Sequence, residues 1–130
     1  MIKIIVLGHG GYAEGVRLNM EMIAGPCEAM HFIDLTKDDD LASFQQKVVN
    51  LTESFSEDKI LFVCDLLGAT PFRVAAELSA VSNGKYYTVA GLNTMAFLEL
   101  SMSADSELSI KELAERSVET TKTSVSIFPA

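Results

Sequence analysis

The chain has 130 residues, of which 48% are hydrophobic and 22% charged, with ten basic against eighteen acidic side chains and a net charge of −8. One globular domain fits this length and composition, whereas a second domain or extensive disorder does not. The acidic balance excludes the basic footprint needed for sequence-independent nucleic-acid binding or for resting on an anionic membrane.

The first residues lack a signal peptide's basic region and cleavage site, and no apolar run approaches the ~20 residues of a bilayer span. Cys27 and Cys64 are too few for a disulfide scaffold and have no metal-type spacing. The expectation is an acidic, single-domain, cytoplasmic protein over 1–130.

Ile2-Lys3-Ile4-Ile5-Val6-Leu7 is a β-branched run that stops at Gly8, the pattern of a strand buried on both faces. Beyond Gly8-His9-Gly10-Gly11, apolar or small residues at Val16, Met20, Ile23 and Ala24 have helical spacing, and Gly25-Pro26 ends that helix. Met30–Leu35 reads as a second strand. Asp38-Asp39-Asp40 then caps a helix that carries Leu41, Phe44, Val48, Leu51 and Phe55 on one face.

Lys59–Cys64 is the most hydrophobic strand and ends at Asp65. Thr70-Pro71 predicts a helix start with Thr70 as N-cap, the helix running to about Val81 and stopping at Ser82-Asn83-Gly84. Tyr86–Ala90 is a fourth strand. Helices are expected around Thr94–Met102 and Leu108–Thr121, and alternation at Val125 and Ile127 predicts a last strand over Lys122–Phe128. Strands alternating with helices give an α/β fold, a doubly wound parallel sheet with helices on both faces.

Ligands of such sheets bind beyond the carboxyl ends of the strands, where the strand order reverses. With the order 2-1-3-4, His9 and Asp65 face each other there. A histidine nucleophile attacks as neutral imidazole; a carboxylate accepting its other N–H fixes the tautomer and stabilises the charge that develops. Glycines around His9 admit backbone amides to an anion, and a helix begins directly after them. Thr70, at another helix start, adds a hydroxyl. The set describes a phosphoryl group beside an imidazole.

Other residues read as structural: His31 inside the second strand, Asp38–Asp40 as a solvated helix start, Cys64 as core and Cys27 as a loop thiol. Met20, Met22 and Met95 are candidates for an adaptable docking surface. Two alternatives stay open from the residues alone. A receiver-like signalling domain would use Asp65 as acceptor, but needs an acidic pair where Gly8-His9-Gly10 stands. A non-catalytic regulatory module would keep the fold without the chemistry.

Ile5-Val6-Leu7-Gly8-His9-Gly10, then Phe62-Val63-Cys64-Asp65-Leu66-Leu67-Gly68-Ala69-Thr70-Pro71-Phe72, then Val89-Ala90-Gly91-Leu92-Asn93 resemble the IIA component of the mannose family of the bacterial phosphoenolpyruvate–sugar phosphotransferase system. The resemblance covers essentially the whole chain. It implies that His9 takes a phosphoryl group from phospho-HPr and passes it to a IIB component, with indirect association with membrane IIC and IID components. It further implies that Asp65 bonds the ring and that Thr70 lies at the phosphoryl site. Gly10, Gly11 and Leu66 complete the expected phosphate contacts; Leu66 stands where some members carry a hydroxyl, leaving its backbone amide. The resemblance implies a homodimer that exchanges the C-terminal strand, antiparallel to its neighbour, and IIB on a separate polypeptide. No metal or organic cofactor is implied. The sugar is unspecified. Leu66, Leu67 and Phe72 are expected to ring a shallow crevice facing protein partners.

Overall fold

A computed structural model describes all 130 residues. The elements are β1 (Ile2–His9), α1 (Tyr12–Ala24), β2 (Met30–Leu35), α2 (Leu41–Ser54), β3 (Lys59–Cys64), α3 (Thr70–Ala80), β4 (Tyr86–Ala90), α4 (Thr94–Ser103) and α5 (Ile110–Ser124). All strand pairs are parallel, in the order β2-β1-β3-β4.

The central strands read as unbroken apolar runs because each alternate residue enters a different core. Ile4, Val6, Leu61 and Val63 point to one face, where they meet Ala13 and Met20 of α1, Phe97 and Leu100 of α4, and Leu113 of α5. Ile5, Leu7, Ile60, Phe62 and Cys64 point to the other, against Phe44 and Val48 of α2 and Val74 and Ala75 of α3. Each fully buried aliphatic side chain contributes about 1.5–3 kcal/mol. The sheet core is therefore a rigid platform for whatever its strand ends carry.

Asp40 caps α2 as expected, accepting from the Ser43 N–H at 2.7 Å while the Ser43 hydroxyl accepts from the Asp40 N–H. Two expectations need correction. Thr70 is not the cap of α3: Ala69 holds that place and Thr70 is the first helical residue, so Pro71 falls second. Nor is Lys122–Phe128 a strand within this chain. Lys122, Thr123 and Ser124 complete α5, and residues 125–130 pair with no strand, leaving Val125, Ile127 and Phe128 exposed.

From β1 the chain passes through α1 to β2 on one side, whereas β3 lies on β1's other side and leads through α3 to β4. The strand order reverses between β1 and β3, and in doubly wound sheets the ligand crevice lies past the carboxyl ends of the strands at such a switch point. His9 ends β1 and Asp65 follows β3.

Candidate functional site

His9 and Asp65 meet at that crevice. One carboxylate oxygen, Asp65 Oδ2, accepts from the His9 backbone N–H at 2.9 Å and lies 2.7 Å from His9 Nδ1. The imidazole side chain is 44% exposed and the carboxylate 14%, so the ring faces solvent while its partner is held inside. With Nδ1–H donated to Asp65, Nε2 is the nitrogen with a free lone pair. Asp65 Oδ1 is buried and has no hydrogen-bond partner.

The local sequence enforces this placement. Gly8 lies opposite Asp34 in the β1–β2 register, and a Cβ on it would come within 2.4 Å of Tyr12 Cδ2 and 2.7 Å of Tyr12 Cβ. Glycine therefore allows the Tyr12 ring to lie against the strand end. Burial, then the charges of Asp65 and Cys64, push the Tyr12 phenol up to about 12. The Cys64 thiol is likewise pushed up to about 12, by burial first and Asp65 second, so it is inert core. Gly10 turns the chain in the left-handed region at φ +62°.

Backbone amides are distributed unevenly around the ring. The Gly10 N–H donates to the Leu35 carbonyl at 2.9 Å, so of the two expected glycine contacts only Gly11 has an amide without a protein acceptor. The first turn of α1 is also occupied: Asp34 accepts from the Ala13 N–H at 2.8 Å and from the Glu14 N–H at 3.1 Å. The expected anion site at the start of α1 is thus already filled by a carboxylate.

The opposite wall is open. After Asp65, the amides of Leu66, Leu67, Gly68, Thr70 and Phe72 have no protein acceptor, Pro71 has no N–H, and the Thr70 hydroxyl makes no bond. Because Ala69 cannot cap with a side chain, the start of α3 keeps its donors and the positive end of its dipole. This loop and helix start form a nest of amides directly after the residue that holds the histidine.

Leu66 and Leu67 are exposed at the rim, whereas Phe72 packs partly against the second core and contributes less to that rim than expected. Met22 and Met95 are exposed, but Met20 is buried at 2% exposure; its helical phase points it inward, which removes it from any docking surface. His31 stays away from the site. Its ring packs on Phe55 with centroids 4.6 Å apart, and burial followed by the Lys3 charge lowers its pKa. A hollow of about 390 Å³ lined by residues such as Met1, Lys3, Cys27 and Met102 lies at the amino-terminal end of the sheet, opposite the crevice.

Three residues at the site escape a reading of the sequence: Asp34, Tyr12 and Arg73. A carboxylate one residue before the end of an apolar strand is the available signal for Asp34. Nothing in spacing distinguishes Tyr12, whose place depends on Gly8. Arg73 follows Pro71-Phe72 in the first turn of a helix, where a basic residue opposes the helix dipole and so invites a specific explanation.

Residues 3–118 match the family described as PTS system fructose IIA component. The chain belongs to that family. It is 30% identical over 112 residues to the PTS system sorbose-specific EIIA component of Lacticaseibacillus casei, covering 86% of this chain and 80% of that protein. It is 28% identical over 130 residues to the PTS system mannose-specific EIIAB component of Escherichia coli K12, covering 99% of this chain and 40% of the longer protein. Among solved structures, the phosphotransferase system component EIIA from Streptococcus agalactiae superposes with a TM-score of 0.87 at 28% identity, covering 98% of each chain. The four-stranded α/β architecture is thus that of the EIIA proteins, and the chain is an EIIA-type component of a sugar phosphotransferase system. No helix is long and apolar enough to cross a membrane.

Proposed function

We propose that His9 accepts a phosphoryl group on Nε2 from phospho-HPr and delivers it to a IIB component. The observation that carries this reading is the 2.7 Å contact between Nδ1 and Asp65 Oδ2, which leaves Nε2 as the free nitrogen of an exposed ring. The Nε2 lone pair forms the new P–N bond as the donor's P–N bond breaks, and the donor imidazole takes back its electron pair. The Nδ1 proton stays on the ring. The resulting imidazolium charge is balanced by Asp65.

The phosphoryl oxygens face the amides of Leu66, Leu67, Gly68, Thr70 and Phe72, with the Gly11 amide on the other side and the Thr70 hydroxyl within the same loop. Such preorganised donors stabilise charge without reorganising at the moment of transfer. Delivery to IIB is the same step reversed onto a second acceptor.

The oligomer proposed is a homodimer in which residues 125–130 of each chain add to the partner's β4. Two observations support it. Asn93, at the start of α4, donates to the Ser124 hydroxyl at 2.8 Å, so the tail departs beside the carboxyl end of its own chain's β4. β4 is an edge strand with an unpaired side, and Val125, Ile127 and Phe128 are exposed apolar residues with no surface of their own.

The test is incubation with phospho-HPr and mass mapping under alkaline conditions, where phosphohistidine survives better than acyl phosphate. Label on His9, absent from His9→Ala, is the expected result. Label on His31 or Asp65, or on His9→Ala protein, refutes the reading.

A further inference from the structure

Arg73 is joined to the amide loop in two ways. Its backbone N–H donates to the Ala69 carbonyl at 2.9 Å, and its Nε donates to the Gly68 carbonyl at 2.8 Å. A trans peptide is planar, with C=O and the following N–H pointing in opposite directions. The Gly68–Ala69 peptide is held at both ends, because the Ala69 N–H donates to the Leu66 carbonyl at 3.2 Å. Gly68 itself is in the left-handed region at φ +83°, a conformation that glycine adopts without fixing. The guanidinium supplies that fixation from the helix side. Its Nη groups have no partner within the protein, so the charge remains at the loop.

We propose that Arg73 is a positioning residue for phosphoryl transfer: it turns the Gly68 carbonyl away from His9 and thereby aims the neighbouring amides at the phosphoryl oxygens. The inference rests on the phosphohistidine reading given above. A carbonyl free to rotate into the crevice would present a partial negative charge to a dianion, and the amides of Gly68 and Thr70 on either side would lose their common direction. The bond therefore acts on the transition state, where the three equatorial phosphoryl oxygens must meet correctly aimed donors, and not on partner docking.

The experiment compares wild type, Arg73→Gln and Arg73→Lys in single-turnover phosphorylation of His9 over a range of phospho-HPr concentrations. Melting temperature is measured for each. The expected result for Arg73→Gln is a maximal rate lower by about tenfold, equivalent to about 1.4 kcal/mol, at unchanged half-saturating phospho-HPr and unchanged melting temperature. Arg73→Lys, with an ammonium able to reach the same carbonyl, should recover part of that loss. A maximal rate unchanged in both variants overturns the proposal. So does a rise in half-saturation alone, which makes Arg73 a docking contact, or a rate loss that follows a fallen melting temperature, which makes it structural. If wild type takes no label on His9, the phosphohistidine reading fails first, and the proposal falls with it.

Discussion

Replacing Asp65 with asparagine tests how much of the site's chemistry depends on a charge. The carboxylate accepts two hydrogen bonds on one oxygen, from the His9 backbone N–H at 2.9 Å and from Nδ1 at 2.7 Å. The amide that replaces it must choose between two orientations. With its carbonyl toward His9, both bonds survive as neutral ones, but the amide NH2 then occupies the buried position of Oδ1, an atom that has no hydrogen-bond partner in the protein. With its NH2 toward His9, a donor meets the backbone N–H, and the ring is driven to the tautomer that carries its proton on Nε2. That tautomer cannot attack. In either orientation the developing imidazolium loses its compensating charge. A hydrogen bond to a charged group contributes about 1.5–3 kcal/mol, and tenfold in rate accompanies each ~1.4 kcal/mol. The expected loss in single-turnover phosphorylation by phospho-HPr is therefore roughly tenfold to 150-fold, measured by rapid quench at saturating donor with the fold checked by circular dichroism. Wild-type transfer by a folded Asp65→Asn protein would refute the argument that the carboxylate's charge sustains the reaction.

Thr70→Ala should slow transfer by about fivefold, since one neutral hydrogen bond contributes about 1 kcal/mol and the loop amides remain; a loss as large as that of Asp65→Asn would contradict the amide cradle. Asp40→Ala should lower stability by about 1 kcal/mol in urea titration through loss of the α2 cap, with phosphorylation unaffected. His31 has a folded pKa below its ordinary 6.5 because of burial and Lys3. Its unfolded form binds the proton more readily, so this contribution to stability is present above pH 6.5 and lost as pH falls toward the folded value. Urea midpoints between about pH 5 and 8 should fall with acid more steeply in wild type than in His31→Asn, and equal slopes would exclude this role. Removing residues 125–130 should give a monomer or aggregate by light scattering, whereas an intact dimer would exclude strand exchange.

Strand positions are legible in the sequence because breakers bracket them. Met30–Leu35, Lys59–Cys64 and Tyr86–Ala90 have the bounds that their flanking residues predict. The pairing of His9 with Asp65 follows from strand order alone. The end of α5 misleads for a physical reason: Thr120-Thr121-Lys122-Thr123-Ser124 is rich in residues that favour strands or turns. In the helix their hydroxyls bond back to carbonyls one turn earlier, Thr121 to Ser117 at 3.0 Å, Thr123 to Glu119 at 3.0 Å and Ser124 to Thr120 at 2.7 Å. The cap of α3 is displaced by one residue from its expected place because threonine before proline satisfies the capping pattern, and no local signal favours Ala69. Which amides are free lies beyond any pattern. Whether the Gly10 N–H meets an anion or the Leu35 carbonyl depends on the β1–β2 register, not on the glycine.

That distribution of amides gives the site a direction. The start of α1 lies nearest to His9 in sequence and would ordinarily be an anion site. Asp34 fills it, satisfying two first-turn amides and placing a fixed negative charge on that side of the ring. On the proposed reading, a phosphoryl group on His9 finds only the Gly11 amide on the α1 side and is drawn toward α3, whose first-turn donors are unopposed. Both carboxylates flanking His9 accept from N–H groups, Asp34 from the first turn of α1 and Asp65 from His9 itself. The two halves of the site therefore come from different strands. β1 carries His9, the proposed nucleophile, with the α1 side occupied by a carboxylate from β2. β3 leads into the orienting acid and, in the loop and helix start after it, the cradle. A parallel sheet with β1 and β3 adjacent is the arrangement that brings those halves side by side, which is why the strand order, more than any single motif, determines where this chemistry can occur.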